Sequence, residues 1–247
     1  MTAAANGLAG RGILITRSEE DCAAWAAEVE RRGARAVLLP CIHCEPIDTP
    51  EVRGALGAAL ERAHWLVLTS RRGVEAVAHL RAPRVAVPPR TRVAAVGEAT
   101  AEAARALLGR VDLVGGGTAF SLGAALAARG GLSQRARVVL ALAANASPML
   151  ERALASAGAR CTRLDVYRTV PAPPAAPKRA LSSLGAERVV LASPSAASGF
   201  VHQVDVDVPV AIYTIGPSTT AAARALGLAV TAEAREPSLE GILEAMQ

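Results

Sequence analysis

The chain contains an internal repeat, and this repeat constrains the fold more than any other feature of the sequence. The segment GILITRSEEDCAAWAAEVERRGARAVLLPCI, which begins at Gly12, aligns without a gap with RVVLALAANASPMLERALASAGARCTRLDVY, which begins at Arg137. Each copy has an apolar strand-like run, a stretch with helical apolar periodicity that ends at Gly33 or Gly158, and a second short strand. Two further pairs are HWLVLTSRRGVEAV with ERVVLASPSAASGFV, and VAAVGEATAEAARAL with VAIYTIGPSTTAAARAL. The sequence therefore predicts two similar halves, each with about four strand-then-helix units.

Strands that alternate with helices form parallel sheets with helices on both faces. The chain has 247 residues, of which 51% are hydrophobic. At about 100 to 200 residues per domain, this length allows one or two domains, and the repeat favours two. We therefore predict an α/β protein of two similar flavodoxin-like domains, each a parallel sheet flanked by helices, joined by a two-stranded linker.

The turns that follow the predicted strands are rich in serine, threonine and glycine. In open parallel sheets, ligands bind beyond the carboxyl ends of the strands, where these turns lie. The turns present backbone N–H groups, hydroxyl donors and the positive ends of helix dipoles, which suit carboxylates or phosphates. Serine and threonine are also preferred helix N-caps, so capping alone explains each residue taken singly. The predicted substrate-binding residues at these turns are Thr69, Ser70, Gly97, Thr100, Ser193, Ser195, Gly216, Ser218 and Thr219.

The charge balance narrows the classes of partner. The net charge of +5 and the isoelectric point near 9.6 fit either nucleic acid or a small ligand with several carboxylates. The 27 basic residues are dispersed and form no stripe with interleaved aromatic residues, so we expect no nucleic-acid partner. The N-terminal MTAAANGLAG lacks the basic and apolar regions of a signal peptide, and no run reaches the ~18 apolar residues of a membrane span. We expect a cytoplasmic protein with no membrane partner.

The sequence offers no pattern for a metal, a nucleotide or a nucleophilic triad. Cys41-Ile-His-Cys44 has CxxC spacing, but no second pair completes a zinc site. GGGT at 115–118 lacks the Lys-Ser/Thr of a P-loop, and VGEAT at 96–100 lacks the spaced glycines of a dinucleotide fingerprint. The four histidines are dispersed and fit no Ser-His-Asp pattern. If the chain is an enzyme, we expect it to work with no cofactor, no metal and no strong side-chain base.

Tyr167 is one of only two tyrosines in a chain that is 2% aromatic. The repeat places it opposite Ile42, so the phenol belongs to one copy alone. Both residues lie in short β-like runs, LLPCIHCEP and RLDVYRTVP, which we predict to be linker strands. A phenol has an ordinary pKa of about 10 and can donate a proton to a leaving group at neutral pH. The alternative is that Tyr167 packs at an interface, with its apolar ring buried and its hydroxyl exposed to solvent.

The order of several short motifs closely resembles the uroporphyrinogen-III synthase family. These motifs are ILITR, LLPCI, VLTSRRGV, VAAVGEAT, Gly-Ala-Arg followed by VYRT, LASPSA, IGPSTTAAARALG and PSLEGIL. The likeness extends from Gly12 to Ala245, and its specificity lies in the order and spacing of the motifs. The sequence departs from the family pattern at Ser18, where proline is common, and at Arg72, where asparagine is frequent.

The resemblance implies a cofactor-free lyase of tetrapyrrole biosynthesis, on the route to heme and cobalamin. It would close hydroxymethylbilane to uroporphyrinogen III with loss of water and inversion of ring D through a spiro intermediate. The resemblance also implies a discontinuous domain 1 of residues 1–38 and 170–247, a domain 2 of residues 47–162, and linker strands at 39–46 and 163–169. The turns of the two domains would then surround one cleft.

The resemblance assigns roles to individual residues. Tyr167 matches the family tyrosine proposed to assist loss of the hydroxyl, and it is the predicted catalytic residue. Thr219 matches the threonine of the Ile-Gly-x-x-Thr turn at the cleft. Cleft turns that would hold carboxylates are matched by Ser70, Thr100 and Ser193, and the arginine after the first strand is matched by Arg17.

Two readings of the function remain open from the sequence. The first is the synthase, expected to be a monomer that receives hydroxymethylbilane from the preceding enzyme of the pathway. The second is a two-lobed binding or sensor protein that closes on a small polycarboxylate without chemistry. The sequence carries neither a secretion signal nor an output module, which disfavours the second reading.

Overall fold

The computed structural model describes residues 7–83, 87–128, 132 and 135–247. Residues 1–6, part of the N-terminal stretch that carries no signal-peptide pattern, lie outside this description. Within the described ranges, no helix is both long enough and apolar enough to cross a membrane.

Strands and helices alternate along most of the chain. The first part forms β1 (Gly12–Ile15), α1 (Glu19–Arg31), β2 (Arg35–Leu38) and β3 (Ile42–Pro46). The middle part forms α2 (Pro50–Leu60), β4 (Trp65–Leu68), α3 (Arg71–Arg81), β5 (Arg92–Ala95), α4 (Glu98–Leu108), β6 (Leu113–Val114), α5 (Ala119–Ala128), β7 (Arg137–Ala143), α6 (Met149–Ser156) and β8 (Arg160–Pro171). The last part forms β9 (Arg179–Ala180), α7 (Leu181–Leu184), β10 (Arg188–Leu191), α8 (Pro194–Gln203), β11 (Val204–Asp205), β12 (Ala211–Thr214), α9 (Pro217–Ala225), β13 (Val230–Glu233) and α10 (Leu239–Glu244).

The chain divides into two compact units. Unit 1 combines Met1–His43 with Thr169–Gln247, and unit 2 is Cys44–Arg168. The two points of division fall inside β3 and β8, within the segments 39–46 and 163–169 that the resemblance implies to be linkers. The copies of the long repeat are separated, because the copy that starts at Gly12 belongs to unit 1 and the copy that starts at Arg137 belongs to unit 2.

Each unit contains a sheet whose central strands are parallel. The strand order in unit 1 is β13-β12-β10-β1-β2, and every neighbouring pair is parallel. In unit 2 the order is β6-β5-β4-β7-β8, again with parallel pairs, and β3 lies beside β8. The two orders match strand for strand when the repeat copies are aligned in sequence. The predicted fold class of duplicated parallel sheets with flanking helices is confirmed.

Both faces of each sheet are covered by apolar side chains. In β1, Ile13 and Ile15 pack into one buried cluster, whereas Leu14 packs into the cluster on the other face. In β4, Leu66 and Val67 likewise face opposite clusters. Because successive residues of a strand point to opposite faces, a strand covered on both sides reads as a continuous apolar run. This explains why GILI and WLVL show no polar alternation.

Candidate active site

The carboxyl edge of the unit 2 sheet brings several of the predicted residues into one row. Leu68, the last residue of β4, pairs with Ala95 of β5 and with Ala141 of β7. Further along the same edge, Ala143 of β7 pairs with Tyr167 of β8. The turns that open α3 and α4, which contain Thr69, Ser70 and Gly97, therefore lie at the same edge of the sheet as Tyr167.

A hydrogen bond joins two of the predicted site residues in unit 2. The Ser70 Oγ and Tyr167 Oη atoms are 2.9 Å apart, and either hydroxyl can donate. Ser70 is also the N-cap of α3, where its Oγ accepts the Gly73 N–H at 3.0 Å. The alternative that Ser70 is only a cap is therefore incomplete, since the same oxygen also contacts the phenol.

A β-bulge in β8 determines which way Tyr167 points. The register of β7 and β8 shifts between Leu142 and Ala143, whose partners are Asp165 and Tyr167. Val166 is thus the extra residue, and it is fully buried in the cluster between the sheet and α3. Tyr167 packs against the same cluster, although strict alternation would send it to the opposite face. Bulges commonly re-aim a side chain in this way, and this one directs the phenol toward Ser70.

Gly73 permits α3 to pack closely at this point. A Cβ at Gly73 would lie 3.2 Å from the Ala141 carbonyl oxygen, 3.4 Å from Ser70 Oγ and 3.8 Å from a ring carbon of Tyr167. The start of α3, the end of β7 and the tyrosine ring are therefore packed around the residue that has no side chain. Such close packing restricts the hydroxyl pair to a narrow range of geometries.

The threonines of the two Gly-x-x-Thr turns do not act as caps. The N-cap of α4 is Gly97 and that of α9 is Gly216, so Thr100 and Thr219 lie one turn inside their helices. Both are buried, with exposed fractions of 5% and 1%. Thr100 and Thr219 are therefore not caps. Ser193 does cap α8, since its Oγ accepts the Ala196 N–H at 3.1 Å.

In unit 1 a chain of hydroxyl groups supports the turn that opens α9. Thr214, the last residue of β12, is fully buried, and its Oγ lies 2.6 Å from the Oγ of Thr220. Thr220 Oγ in turn donates to the Glu233 carboxylate at the end of β13. This network fixes the turn that contains Gly216 and the exposed Ser218. Sequence reasoning missed it, because a threonine pair six residues apart has no recognisable pattern.

Arg17 follows β1 at the carboxyl edge of the unit 1 sheet, as predicted. Its guanidinium contacts the Asp21 carboxylate at 2.8 Å and lies over the ring of Trp25, 5.1 Å from the centroid. Its Nε is buried with no hydrogen-bond partner in the described part of the chain. The positive charge of Arg17 is thus partly neutralised by Asp21, which leaves less of it for a substrate carboxylate. Ser195, the remaining predicted residue of this unit, lies half-buried in the first turn of α8.

Two of the four cysteines, Cys22 and Cys41, are buried, and the other two are partly buried. Burial raises the pKa of the Cys41 thiol to about 12 and that of Cys22 to about 11. Cys44 is half-buried, and its sulfur accepts a hydrogen bond from Arg72 at 2.6 Å. The side chain that departs from the family pattern at position 72 therefore contacts a cysteine. In the ranges the structure describes, no group of three or more His, Cys, Asp or Glu side chains could hold a metal ion.

Arg163 is a residue of the site region that sequence reasoning did not identify. Its guanidinium donates to the carbonyl oxygens of Ala146 at 3.0 Å and Ala143 at 3.1 Å, and its Nε donates to Asp165 at 2.8 Å. Through these hydrogen bonds, Arg163 connects the loop after β7 to β8, the strand that contains Tyr167. The Ala144 N–H also donates to the Tyr167 carbonyl oxygen at 2.9 Å, which ties the same loop to the bulge.

These observations define a class of protein. It is a duplicated α/β protein whose strand-end turns carry hydroxyl groups and backbone N–H groups, with a hydrogen-bonded phenol at the edge of one sheet. Residues 23–244 match the family model described as Uroporphyrinogen-III synthase HemD. The chain belongs to the uroporphyrinogen-III synthase family, and it is therefore an enzyme of tetrapyrrole biosynthesis that acts on a small molecule.

Individual proteins show the same relationship. The chain is 28% identical over 243 residues to a chloroplastic uroporphyrinogen-III synthase of Oryza sativa subsp. japonica, covering 95% of this chain and 79% of the rice protein. Among solved structures, uroporphyrinogen-III synthetase from Helicobacter pylori has a TM-score of 0.54 at 17% identity, with 95% of this chain and 97% of that one covered. A mutant uroporphyrinogen III synthase from the extremely thermophilic bacterium Thermus thermophilus has a TM-score of 0.50 at 21% identity, with coverages of 95% and 96%. At such identities the two structures support the fold alone.

Proposed function

We propose that this enzyme closes hydroxymethylbilane to uroporphyrinogen III, with loss of water and inversion of ring D. The observation that carries the proposal is the 2.9 Å hydrogen bond between Ser70 and Tyr167 at the carboxyl edge of the unit 2 sheet. This edge is where parallel α/β sheets bind ligands, and the phenol there is a proton donor at neutral pH. Family membership favours this enzyme over a binding protein that closes on a polycarboxylate without chemistry.

In the proposed reaction, Tyr167 protonates the terminal hydroxyl of hydroxymethylbilane as its C–O bond breaks. Water leaves, and an azafulvenium-type cation remains on the substrate. The substituted α-carbon of ring D attacks this cation and forms a spiro intermediate. The bond from that carbon to the bridge between rings C and D then breaks, and the bridge carbon bonds to the other α-carbon of ring D, which inverts the ring. The ring proton released when the final pyrrole regains aromaticity returns to the phenolate, so the enzyme ends as it began. General acid catalysis of this kind contributes about 10²- to 10⁴-fold, and orientation of the reactive substrate supplies the remainder.

The carboxylate arms of the substrate account for the character of the strand-end turns. Each pyrrole carries an acetate and a propionate, which suit backbone N–H groups at helix starts and hydroxyl side chains. We assign this binding role to the turns at Thr69–Ser70, Gly97–Thr100, Ser193–Ser195 and Gly216–Thr219, together with Arg17. Because Thr100 and Thr219 are buried, the contribution of their turns comes mainly from backbone N–H groups. The net charge of +5 supports association with a polyanion.

The organisation of the chain is part of the same proposal. We propose that residues 1–38 with 170–247 form domain 1, that residues 47–162 form domain 2, and that 39–46 and 163–169 are linker strands. The enzyme is proposed to be a cytoplasmic monomer that receives its substrate from the preceding enzyme of the pathway.

Product analysis tests the proposed function. The purified protein is given hydroxymethylbilane, and the isomers formed are separated by chromatography after oxidation to porphyrins. We expect uroporphyrinogen III as the main product, formed faster than spontaneous closure. If only the non-inverted isomer forms, at the rate measured without protein, the proposed function is wrong.

A further inference from the structure

The hydroxyl of Ser70 makes two contacts that together determine the direction of its hydrogen bonds. Its Oγ accepts the Gly73 N–H at 3.0 Å and lies 2.9 Å from Tyr167 Oη. Resting on the proposed function, we propose that Ser70 is a positioning residue that donates its proton to Tyr167, so that the phenol proton is directed to the substrate hydroxyl. In this role the Ser70 hydroxyl acts through Tyr167, and the carboxylate-binding role proposed for its turn falls to Thr69 and to the backbone N–H groups.

The count of protons and lone pairs leaves two arrangements. A serine hydroxyl has one proton and two lone pairs, and the Gly73 N–H already occupies one lone pair. If Tyr167 donates to Ser70, the phenol proton is held by the serine and is not delivered to a substrate. If Ser70 donates to Tyr167, the bonds run in one direction, from Gly73 N–H to Ser70 O–H to Tyr167 O–H. Only the second arrangement is compatible with a phenol that acts as an acid.

Electrostatics at the start of α3 favour the second arrangement. Ser70 is the N-cap of this 11-residue helix, whose positive dipole end favours negative charge on atoms bonded to the cap. The first turn also contains Arg71 and Arg72. When Tyr167 gives up its proton, negative charge develops on Oη, and a hydrogen bond donated by Ser70 stabilises that charge. Hydrogen bonds in such a chain polarise one another, which strengthens the effect.

Both partners of this hydrogen bond lie on fixed backbone. Ser70 is held by its capping hydrogen bond. Gly73 lets α3 pack closely against β7, since a Cβ at this position would lie only 3.2 Å from the Ala141 carbonyl oxygen. Tyr167 is held at the bulge by the hydrogen bond from Ala144 N–H to its carbonyl oxygen, at 2.9 Å. The geometry is therefore established before substrate binds, as preorganised catalysis requires.

A double-mutant cycle separates this role from direct substrate binding. We expect Ser70→Ala to lower kcat about tenfold, the loss of one hydrogen bond to a developing charge, with KM little changed. In a Tyr167→Phe background the same substitution should lower kcat no further, because the effect passes through the phenol. Ser70→Thr keeps the hydroxyl and should retain most of the activity. A multiplicative loss in the double variant, or a raised KM at unchanged kcat, would overturn the proposal.

A matched control isolates the cost of losing a helix cap. Ser238 caps α10 with the same geometry, since its Oγ accepts the Gly241 N–H at 3.0 Å. Ser238→Ala should lower the melting temperature by an amount similar to Ser70→Ala, with kcat unchanged. If Ser238→Ala slows turnover as much as Ser70→Ala does, the loss comes from the cap, and the proposed role of Ser70 is wrong.

A titration without substrate distinguishes failure of this inference from failure of the proposed function. In a Tyr213→Phe background, Tyr167 is the only tyrosine, so the ultraviolet absorbance of tyrosinate reports its ionisation alone. Ser70→Ala should move that ionisation to higher pH, whatever product the enzyme forms. An ionisation that does not move would show that Ser70 is not the donor, even if the wild-type protein makes uroporphyrinogen III.

Discussion

In unit 1, α8 packs closely against a neighbouring backbone segment at Gly199. A Cβ at this position would lie 1.8 Å from the Cys41 carbonyl oxygen and 3.2 Å from the Ala172 backbone nitrogen. These two groups are hydrogen-bonded to each other at 2.7 Å. Gly199→Ala must therefore displace backbone by more than an ångström or break this hydrogen bond.

The size of the effect follows from these contacts. Overpacking a buried site costs about 1 to 3 kcal/mol, and breaking a buried hydrogen bond costs about 1 kcal/mol more. The neighbouring side chains, Cys41 and Phe200, are fully buried, so the site has little room to relax. We expect Gly199→Ala to lower the free energy of unfolding by about 3 kcal/mol, and the melting temperature by roughly 10 °C.

Urea unfolding followed by circular dichroism measures the change, and a second helical glycine provides the control. Gly54 lies on the exposed side of α2, and a Cβ there would have no neighbour within 4 Å. Gly54→Ala should therefore raise the stability by up to about 1 kcal/mol, because alanine loses less backbone entropy in a helix. If Gly199→Ala is as stable as wild type, the packing of α8 against the segment at Cys41 is not as described.

Two further predictions concern titration and reactivity. Hydrogen bonds from Arg53 and then His79 lower the pKa of Asp48 from its ordinary value of 3.8 to about 2. The pKa of Asp48 is lower in the folded protein than in the unfolded chain. Its contribution to the free energy of unfolding is therefore present above about pH 4 and is lost as the pH falls toward 2. An NMR titration of the Asp48 carboxyl with a midpoint near 4 would contradict this. Burial raises the pKa of the Cys41 thiol to about 12, so Cys41 should resist a thiol reagent at pH 8 until the protein unfolds, while the half-buried Cys44 is modified. Mass spectrometry of labelled peptides checks this, and equal labelling of both would show that Cys41 is accessible.

The fold class could be predicted from the sequence because the features that indicate it are local and occur in both halves of the chain. The GILI and WLVL runs, the glycines at 33 and 158 and the serine caps at Ser70 and Ser193 are short-range features, and the repeat confirms each by its counterpart. The fold class depends only on the order of strands and helices, which such features specify.

The details of the site depended on contacts between distant parts of the chain. Ser70 and Tyr167 are 97 residues apart, and their pairing requires the bulge at Val166, which no local pattern predicts. Thr100 and Thr219 matched a binding motif, yet they are buried because the glycine three residues earlier begins the helix. The ion pair between Arg17 and Asp21 could be anticipated from their i, i+4 spacing. The contact of the Arg17 guanidinium with the Trp25 ring could not, because the sequence alone gives Trp25 only the pattern of a packed helix residue.

The central claim is that the phenol of Tyr167 supplies the proton for ring closure. It is tested most directly by the kcat of Tyr167→Phe on hydroxymethylbilane, with product isomers separated at each time point. The account predicts a kcat about a hundredfold lower, within the range of general acid catalysis, with KM largely kept and a larger share of the non-inverted isomer from spontaneous closure. A kcat equal to that of wild type, with uroporphyrinogen III still the main product, would contradict it.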